Sequence, residues 1–136
     1  MDLKGIISIS GKAGLFKVVA QGRNNIIVQA LGDKRKFPIF STDKVSALED
    51  ISIYTYEEDV PLVDVYVKLA EHENYQPSIN HKENGAALRE RISAFLPNYD
   101  EDRVHDSDLK KLFQWYNLLV NHGIVTKDNT SSQEEE

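Results

Sequence analysis

The chain has 136 residues, of which 40% are hydrophobic, and it carries a formal net charge of −6. It contains no cysteine, which excludes disulfides, thiolate zinc sites, iron–sulfur clusters and thiol nucleophiles. No stretch approaches the roughly 18 apolar residues of a membrane-spanning helix, and the N-terminus lacks the basic start and apolar run of a signal peptide. We therefore expect a cytoplasmic protein without membrane contact, built as one domain or two small ones.

Residues 1–56 are predicted to form short strands separated by turns rich in glycine and asparagine. A single 3₁₀ turn is predicted at residues 45–48, between the fourth and fifth strands. SH3-like and Tudor-like barrels have this order of elements: four strands, a short turn and a closing strand. We therefore predict such a barrel over residues 1–56. An OB-like barrel is disfavoured because there is no room for the helix that normally precedes its fourth strand. The five predicted strands cover residues 5–10, 15–21, 26–31, 36–40 and 51–54.

Beyond residue 56 the apolar residues follow the helical period. Pro61 suits the first turn of an amphipathic helix, which we expect to cover one face of the barrel. Two further helices are predicted over residues 83–95 and 108–121, and the fold class is therefore α+β. The predicted segments after the barrel are a covering helix at 57–74, a linker at 75–82, a small helical domain at 83–125 and a disordered acidic tail at 126–136.

The negative charge is unevenly distributed along the chain. Residues 1–56 carry a net charge of +3, whereas residues 57–136 carry −9. A basic surface beside aromatic residues is typical of small barrels that bind RNA or DNA. The alternatives are ordinary solvated turns, or docking of the basic barrel on the acidic half of this or another copy. If the barrel binds nucleic acid, the predicted contact residues are Lys12, Lys17, Arg23, Lys34, Arg35 and Lys36.

The most distinctive stretch is the aromatic helix predicted over residues 108–121. Its broad apolar stripe indicates burial on two sides, as in the central helix of a small core. Trp115 and Leu118 lie on a flank beyond that stripe. Because tryptophan is enriched at the centres of protein interfaces, the alternative function is a protein-interaction adaptor or homodimer that uses this flank or the barrel groove.

Patterns associated with catalysis and metal binding fail in this sequence. Gly11-Lys12 lacks the spacing and the following Ser or Thr of a phosphate-binding loop. The aspartates between residues 100 and 108 place neither Gly nor Glu where a calcium loop requires them. The four histidines are not at metal-ligand spacing, and no nucleophile elbow is present. We predict no enzymatic activity, no catalytic residues, no metal site and no cofactor.

Segments spread along the chain form one further pattern: residues 3–12, 14–19, 44–54, 96–100, 103–104, 107–108 and 115–119. Together these segments resemble a family of uncharacterised bacterial proteins. The resemblance extends over nearly the whole chain except the tail. It implies a small N-terminal barrel domain followed by a C-terminal helical domain, without an assigned activity or catalytic residues that could be transferred.

Overall fold

A computed structural model of the chain describes residues 3–40 and 42–125. This part contains a five-stranded antiparallel sheet, a two-stranded sheet and three α-helices. The predicted α+β class is therefore confirmed. The predicted tail at 126–136 lies outside the described residues. None of the helices in the described part is long and apolar enough to cross a membrane.

The five-stranded sheet has the order β4-β3-β2-β1-β5. The first four strands match their predicted positions to within three residues at each end. Gly11 turns the chain between β1 and β2 with a φ of 86°, a conformation that side chains with a Cβ rarely adopt. The strands are β1 (Ile6–Ile9), β2 (Lys12–Gln21), β3 (Ile26–Ala30), β4 (Lys36–Ile39) and β5 (Val45–Ala47).

The fifth strand of the sheet is not where the sequence pattern placed it. β5 occupies Val45–Ala47 and pairs with β1, and the 3₁₀ helix follows it at Leu48–Asp50. The predicted closing strand at residues 51–54 instead contributes β6 (Ser52–Ile53), which pairs with β7 (Val60–Pro61). A strand of three residues is too short to show a clear alternation, which explains the wrong assignment.

The sheet is not closed into a barrel. β4 and β5 are its two edges, and within the described residues they are not paired with each other. A cleft of about 700 Å³ lies between them. Both strands are short, and Pro38 in β4 has no N–H to donate to a neighbouring strand. The predicted SH3/Tudor-like barrel is therefore not confirmed.

Two hydrophobic cores lie on opposite faces of the sheet, because successive side chains of a strand alternate between faces. The main core joins Ile6 and Leu15 of the sheet to the helices. The inner core is formed by residues of the sheet alone, and since each is at most 8% exposed, the sheet must curl around them. The buried members of the inner core are Ile7, Ile9, Phe16, Val28 and Ile39.

The helices are α1 (Leu62–His72), α2 (Gly85–Phe95) and α3 (Asp106–Asn121). All three contribute to the main core, and the fully buried Tyr66 of α1 donates a hydrogen bond of 2.8 Å to the carbonyl of Leu112 in α3. Burial raises the pKa of the Tyr66 hydroxyl well above its usual value, so the hydroxyl stays protonated and can donate. α1 thus packs against the 3₁₀ helix, the β6–β7 pair and the other two helices.

Candidate binding groove between the sheet and α3

One flank of α3 faces the sheet. Asp108, Lys111, Trp115 and Leu118 are spaced by three, four and three residues, so their side chains share a face. Trp115 and Leu118 are half-buried and pack against the main core. At Gly14 a Cβ would lie 3.8 Å from Cδ1 of Leu118, which shows how closely α3 approaches β2. The flank predicted to bind a partner therefore faces the protein's own sheet.

The sheet presents polar side chains to this flank. Ser8 of β1 pairs directly with Ser46 of β5, while Ile7 and Ile9 alternate into the inner core on the other face. Ile6, two residues before Ser8, belongs to the main core. The helix-facing side of β1 therefore changes from apolar to polar within two residues, and a groove opens at that point.

The groove consists of two adjoining clefts that share four lining residues: Ser8, Ser46, Lys111 and Trp115. The apolar cleft has a volume of about 270 Å³, and Ser52, Tyr54, Arg103 and Asp108 contribute its other polar side chains. The basic cleft has a volume of about 420 Å³ and is lined by Gly11 and the first three residues of β2. The apolar lining residues of the first cleft are Ile51, Ile53, Leu62, Val104 and Leu112.

Three exposed lysines from separate elements line the basic cleft. Lys12 begins β2, Lys44 precedes β5 and Lys111 lies in α3. Within the described residues none of these lysines forms an ion pair. Asp108 is the one carboxylate among the described lining residues, and its Oδ2 accepts a hydrogen bond of 3.0 Å from the backbone N–H of His105. The groove therefore carries a positive charge in an otherwise acidic protein.

Arg103 at the apolar cleft is held by two contacts. Its Nε lies 2.9 Å from Oδ2 of Asp100, and its guanidinium carbon lies 4.3 Å from the ring centre of Tyr54. The Arg103 guanidinium lowers the pKa of the Asp100 carboxyl through this hydrogen bond, helped by the backbone N–H groups of residues 102 and 103. The ion pair lies within the loop before α3, and the contact with Tyr54 joins this loop to the segment that follows β6.

The Asp100 carboxylate should make the stability of the protein pH-dependent. Because its pKa is lower in the folded chain, its contribution is complete above the unfolded value of about 3.9 and is lost as the pH falls through the folded value. We expect the Asp100→Asn variant to lose less stability than the wild type between about pH 5 and pH 2. Urea unfolding at a series of pH values measures this difference. Asp64→Asn is the control, and equal pH profiles for Asp100→Asn and wild type would refute the assignment.

The six predicted nucleic-acid-binding residues do not form one patch. Lys12 lies in the groove, and its ammonium is 5.2 Å from the ring centre of Phe37. Lys34 and Arg35 belong to the β3–β4 connection and Lys36 begins β4, at the same end of the sheet as Lys12. Arg35 and Lys12 line a shallow cleft of about 490 Å³ beside Phe37.

The remaining two predicted residues lie elsewhere. Lys17 pairs with Gln29, which in turn pairs with Lys36, so these three side chains cross the sheet in one row. Arg23 lies in the β2–β3 turn at the opposite end of the sheet, where it lines the cleft between β4 and β5. Lys12 is thus the one residue of this set that lines the groove.

The sequence analysis missed most of the residues that line the two clefts, and four of these determine the polarity and charge where the clefts adjoin. Ser8 alternates with Ile7 and Ile9, and this alternation was the signal that a polar side chain faces away from the inner core. Lys111 precedes Trp115 by four residues and therefore shares its helix face. Ser46 and Lys44 carried no comparable signal, because their position depends on the unpredicted strand β5. These four residues are Ser8, Lys44, Ser46 and Lys111.

Metal binding has no support in the described part of the chain. Residues 3–40 and 42–125 contain no group of three or more His, Asp and Glu side chains arranged to hold an ion.

Comparisons with known proteins place the chain in a family. The model described as "Domain of unknown function (DUF5606)" matches residues 3–48, and that described as "Domain of unknown function (DUF6852)" matches residues 51–119. The chain belongs to the DUF6852 family. The predicted resemblance to a family of uncharacterised bacterial proteins is thereby confirmed. No protein with a curated description matches the chain.

A solved relative of this DUF6852 chain comes from Bacteroides vulgatus. Its solution NMR structure, from the Northeast Structural Genomics Consortium, shares 45% sequence identity and a TM-score of 0.75 with this chain, over 92% of this chain and 90% of the other. Ser8, Lys12 and Lys44 lie in the segment matched by DUF5606, whereas Lys111 and Trp115 lie in the segment matched by DUF6852. The groove is therefore assembled from both matched segments.

Proposed function

We propose that this chain is a non-enzymatic binding module of the cytoplasm that binds RNA or DNA at the groove and the adjacent basic end of its sheet. The observation that carries the proposal is the convergence of Lys12, Lys44 and Lys111 on one cleft without an ion-pair partner among the described residues. Lysines that keep no carboxylate partner are available to neutralise phosphates, and the released counterions favour binding.

Aromatic side chains beside these lysines support nucleic acid over other polyanions. Trp115 lines both clefts of the groove, and Phe37 lies beneath the ammonium of Lys12. Proteins that bind single strands combine a positively charged groove with aromatic rings on which bases stack. Lys34 and Arg35 of the β3–β4 connection and Lys36 of β4 lie at the same end of the sheet, which lengthens the basic surface.

As part of the same proposal, we regard the five-stranded sheet as an open relative of the SH3-like and Tudor-like barrels. Two features support this relationship. The first strand lies between β2 and β5 in the order β4-β3-β2-β1-β5, and the sheet encloses an inner core of its own. In this view the sheet stays open between its short edge strands β4 and β5, whereas in a closed barrel the two edge strands would pair with each other.

Replacing the three groove lysines tests the proposed function. We expect Lys12→Ala/Lys44→Ala/Lys111→Ala to weaken binding of a labelled single-stranded oligonucleotide at low salt. Loss of three phosphate contacts should also lower the magnitude of the slope of log affinity against log salt by about 2, at roughly 0.7 per contact. Fluorescence anisotropy over about 50 to 200 mM salt measures both quantities.

A matched control separates a local effect from a change in total charge. Lys68→Ala/Lys82→Ala/Lys110→Ala removes the same charge from exposed positions that do not line the groove. The control should bind as the wild type does, apart from a small, uniform loss of affinity. If neither the wild type nor the control is retained on nucleic acid at low salt, the proposal is wrong.

A second candidate function is protein interaction, as an adaptor or a homodimer, through the cleft between β4 and β5. Phe40 is 52% exposed and Val45 is 44% exposed, and both line this cleft. Exposed apolar residues grouped at a sheet opening are typical of a protein contact. Sedimentation of the wild type and of Phe40→Ser/Val45→Ser distinguishes a homodimer, which the double variant should dissociate, from a monomer.

A further inference from the structure

We infer that the groove selects single strands by accepting one unstacked nucleobase in the apolar cleft, beside Trp115, while the flanking phosphates lie against the lysines of the basic cleft. This inference rests on the proposed function. It adds that the ligand is single-stranded and that the groove recognises one of its bases. It predicts that the base, and not only the phosphate, contributes to affinity.

The size and lining of the two clefts support this division. With volumes of about 270 and 420 Å³, they lie at the scale of pockets that hold small organic groups. Ile53, Val104 and Leu112 give the apolar cleft walls on which a flat ring can be buried. An inorganic polyanion gains nothing from such walls, because its charged groups lose hydration there.

Polar groups at the junction of the clefts match the edge of a base. The hydroxyls of Ser8 and Ser46 can each donate and accept hydrogen bonds, as the mixed donors and acceptors of a base edge require. Trp115 lines both clefts and offers an aromatic surface for stacking. In a duplex the bases are stacked and paired, so only a single strand presents a base that can enter.

The charges of the basic cleft match the phosphates beside the inserted base. Lys12 and Lys44 line the basic cleft and Lys111 lies at the junction, whereas Arg103 at the apolar cleft is paired with Asp100. A strand that crosses the groove would therefore meet unpaired positive charge on the side of the basic cleft. Charge complementarity of this kind fits a nucleic-acid strand better than a protein partner, whose backbone is uncharged.

The test compares three ligands on the wild-type chain: a short oligothymidylate, an abasic strand with the same number of phosphates, and a duplex of the same length. The chain has one tryptophan, so tryptophan fluorescence reports on the surroundings of Trp115, which lines both clefts. We expect the oligothymidylate to bind at least about fivefold more tightly than the abasic strand, since stacking of a base on an aromatic side chain makes a contribution of this order. Only the oligothymidylate should change the Trp115 fluorescence markedly.

Variants at Trp115 give a second measurement with a labelled oligonucleotide. Trp115→Ala should bind the oligothymidylate and the abasic strand equally, whereas Trp115→Phe, which keeps an aromatic ring, should retain most of the preference. Equal, salt-dependent binding of all three ligands by the wild type, without a fluorescence change, would overturn the base site and leave the proposed function standing. Absence of binding to every ligand would overturn both.

Discussion

Replacing Leu15 by alanine is expected to lower the free energy of unfolding by about 2–5 kcal/mol, the range measured for truncation of buried leucines. Leu15 is 2% exposed, and although it belongs to β2 it is part of the main core that the helices share. The cavity left by the missing atoms would therefore affect both the sheet and the helices. We expect the transitions monitored by far-UV circular dichroism and by Trp115 fluorescence to shift together in urea.

Neighbouring residues of β2 provide the controls for Leu15→Ala. Val19 is 41% exposed, so Val19→Ala should change stability by no more than about 0.5 kcal/mol. Phe16→Ala truncates the inner core instead, where the ring lies 5.5 Å from that of Phe37 in an edge-to-face arrangement. Leu15→Ala could instead shift the circular dichroism transition and leave the Trp115 fluorescence transition unchanged. In that case the sheet and the helices unfold separately, and the shared core does not couple their unfolding.

Local patterns were sufficient for most elements of the fold. Runs of β-branched and aromatic residues and the glycine at 11 located β1 and β2, because a turn with positive φ favours glycine. Gly14 was predicted to lie in the same turn, but it lies within β2. The apolar spacing around Tyr66 and Tyr116 located α1 and α3 for the same reason. α3 begins at Asp106, two residues before the predicted start.

Pairing between distant segments was not accessible from local patterns. The alternation at residues 51–54 is real, since Ile53 is buried and Ser52 is exposed, but its partner is β7 and not the main sheet. The three residues of β5 give almost no periodic signal, although their pairing with β1 defines one edge of the sheet. Closure of the sheet depends on the lengths of β4 and β5, so it could not be derived from the order of elements alone.

The candidate groove illustrates the same limit for function. Lys12 and Trp115 were singled out for two different hypotheses, yet both line the basic cleft. Their convergence depends on how α3 packs on the sheet, which involves residues about a hundred positions apart. Separating the charge of residues 1–56 from that of the remaining chain kept nucleic acid among the candidates despite the net charge of −6.

We expect Ser8 and Ser46 to contribute to ligand binding at the expense of folding stability. The double variant Ser8→Val/Ser46→Val tests this expectation. The two residues are paired across β1 and β5, where β-branched side chains are preferred and a favourable cross-strand pair contributes about 0.2–1 kcal/mol. Valines at both positions would also extend the apolar face that begins at Ile6. We therefore expect the double variant to be more stable in urea by about 1 kcal/mol.

The same substitution should reduce the affinity for a single-stranded oligonucleotide by about tenfold or more, because unpaired polar groups of the ligand would face valine methyls at the junction of the clefts. Both serines line both clefts, so the added bulk narrows the whole groove. Ser8→Thr/Ser46→Thr is the matched control, since it adds the branch and keeps the hydroxyl, and it should recover part of the binding. A double valine variant that is more stable and binds as tightly as the wild type would show that the ligand does not enter the groove between these serines.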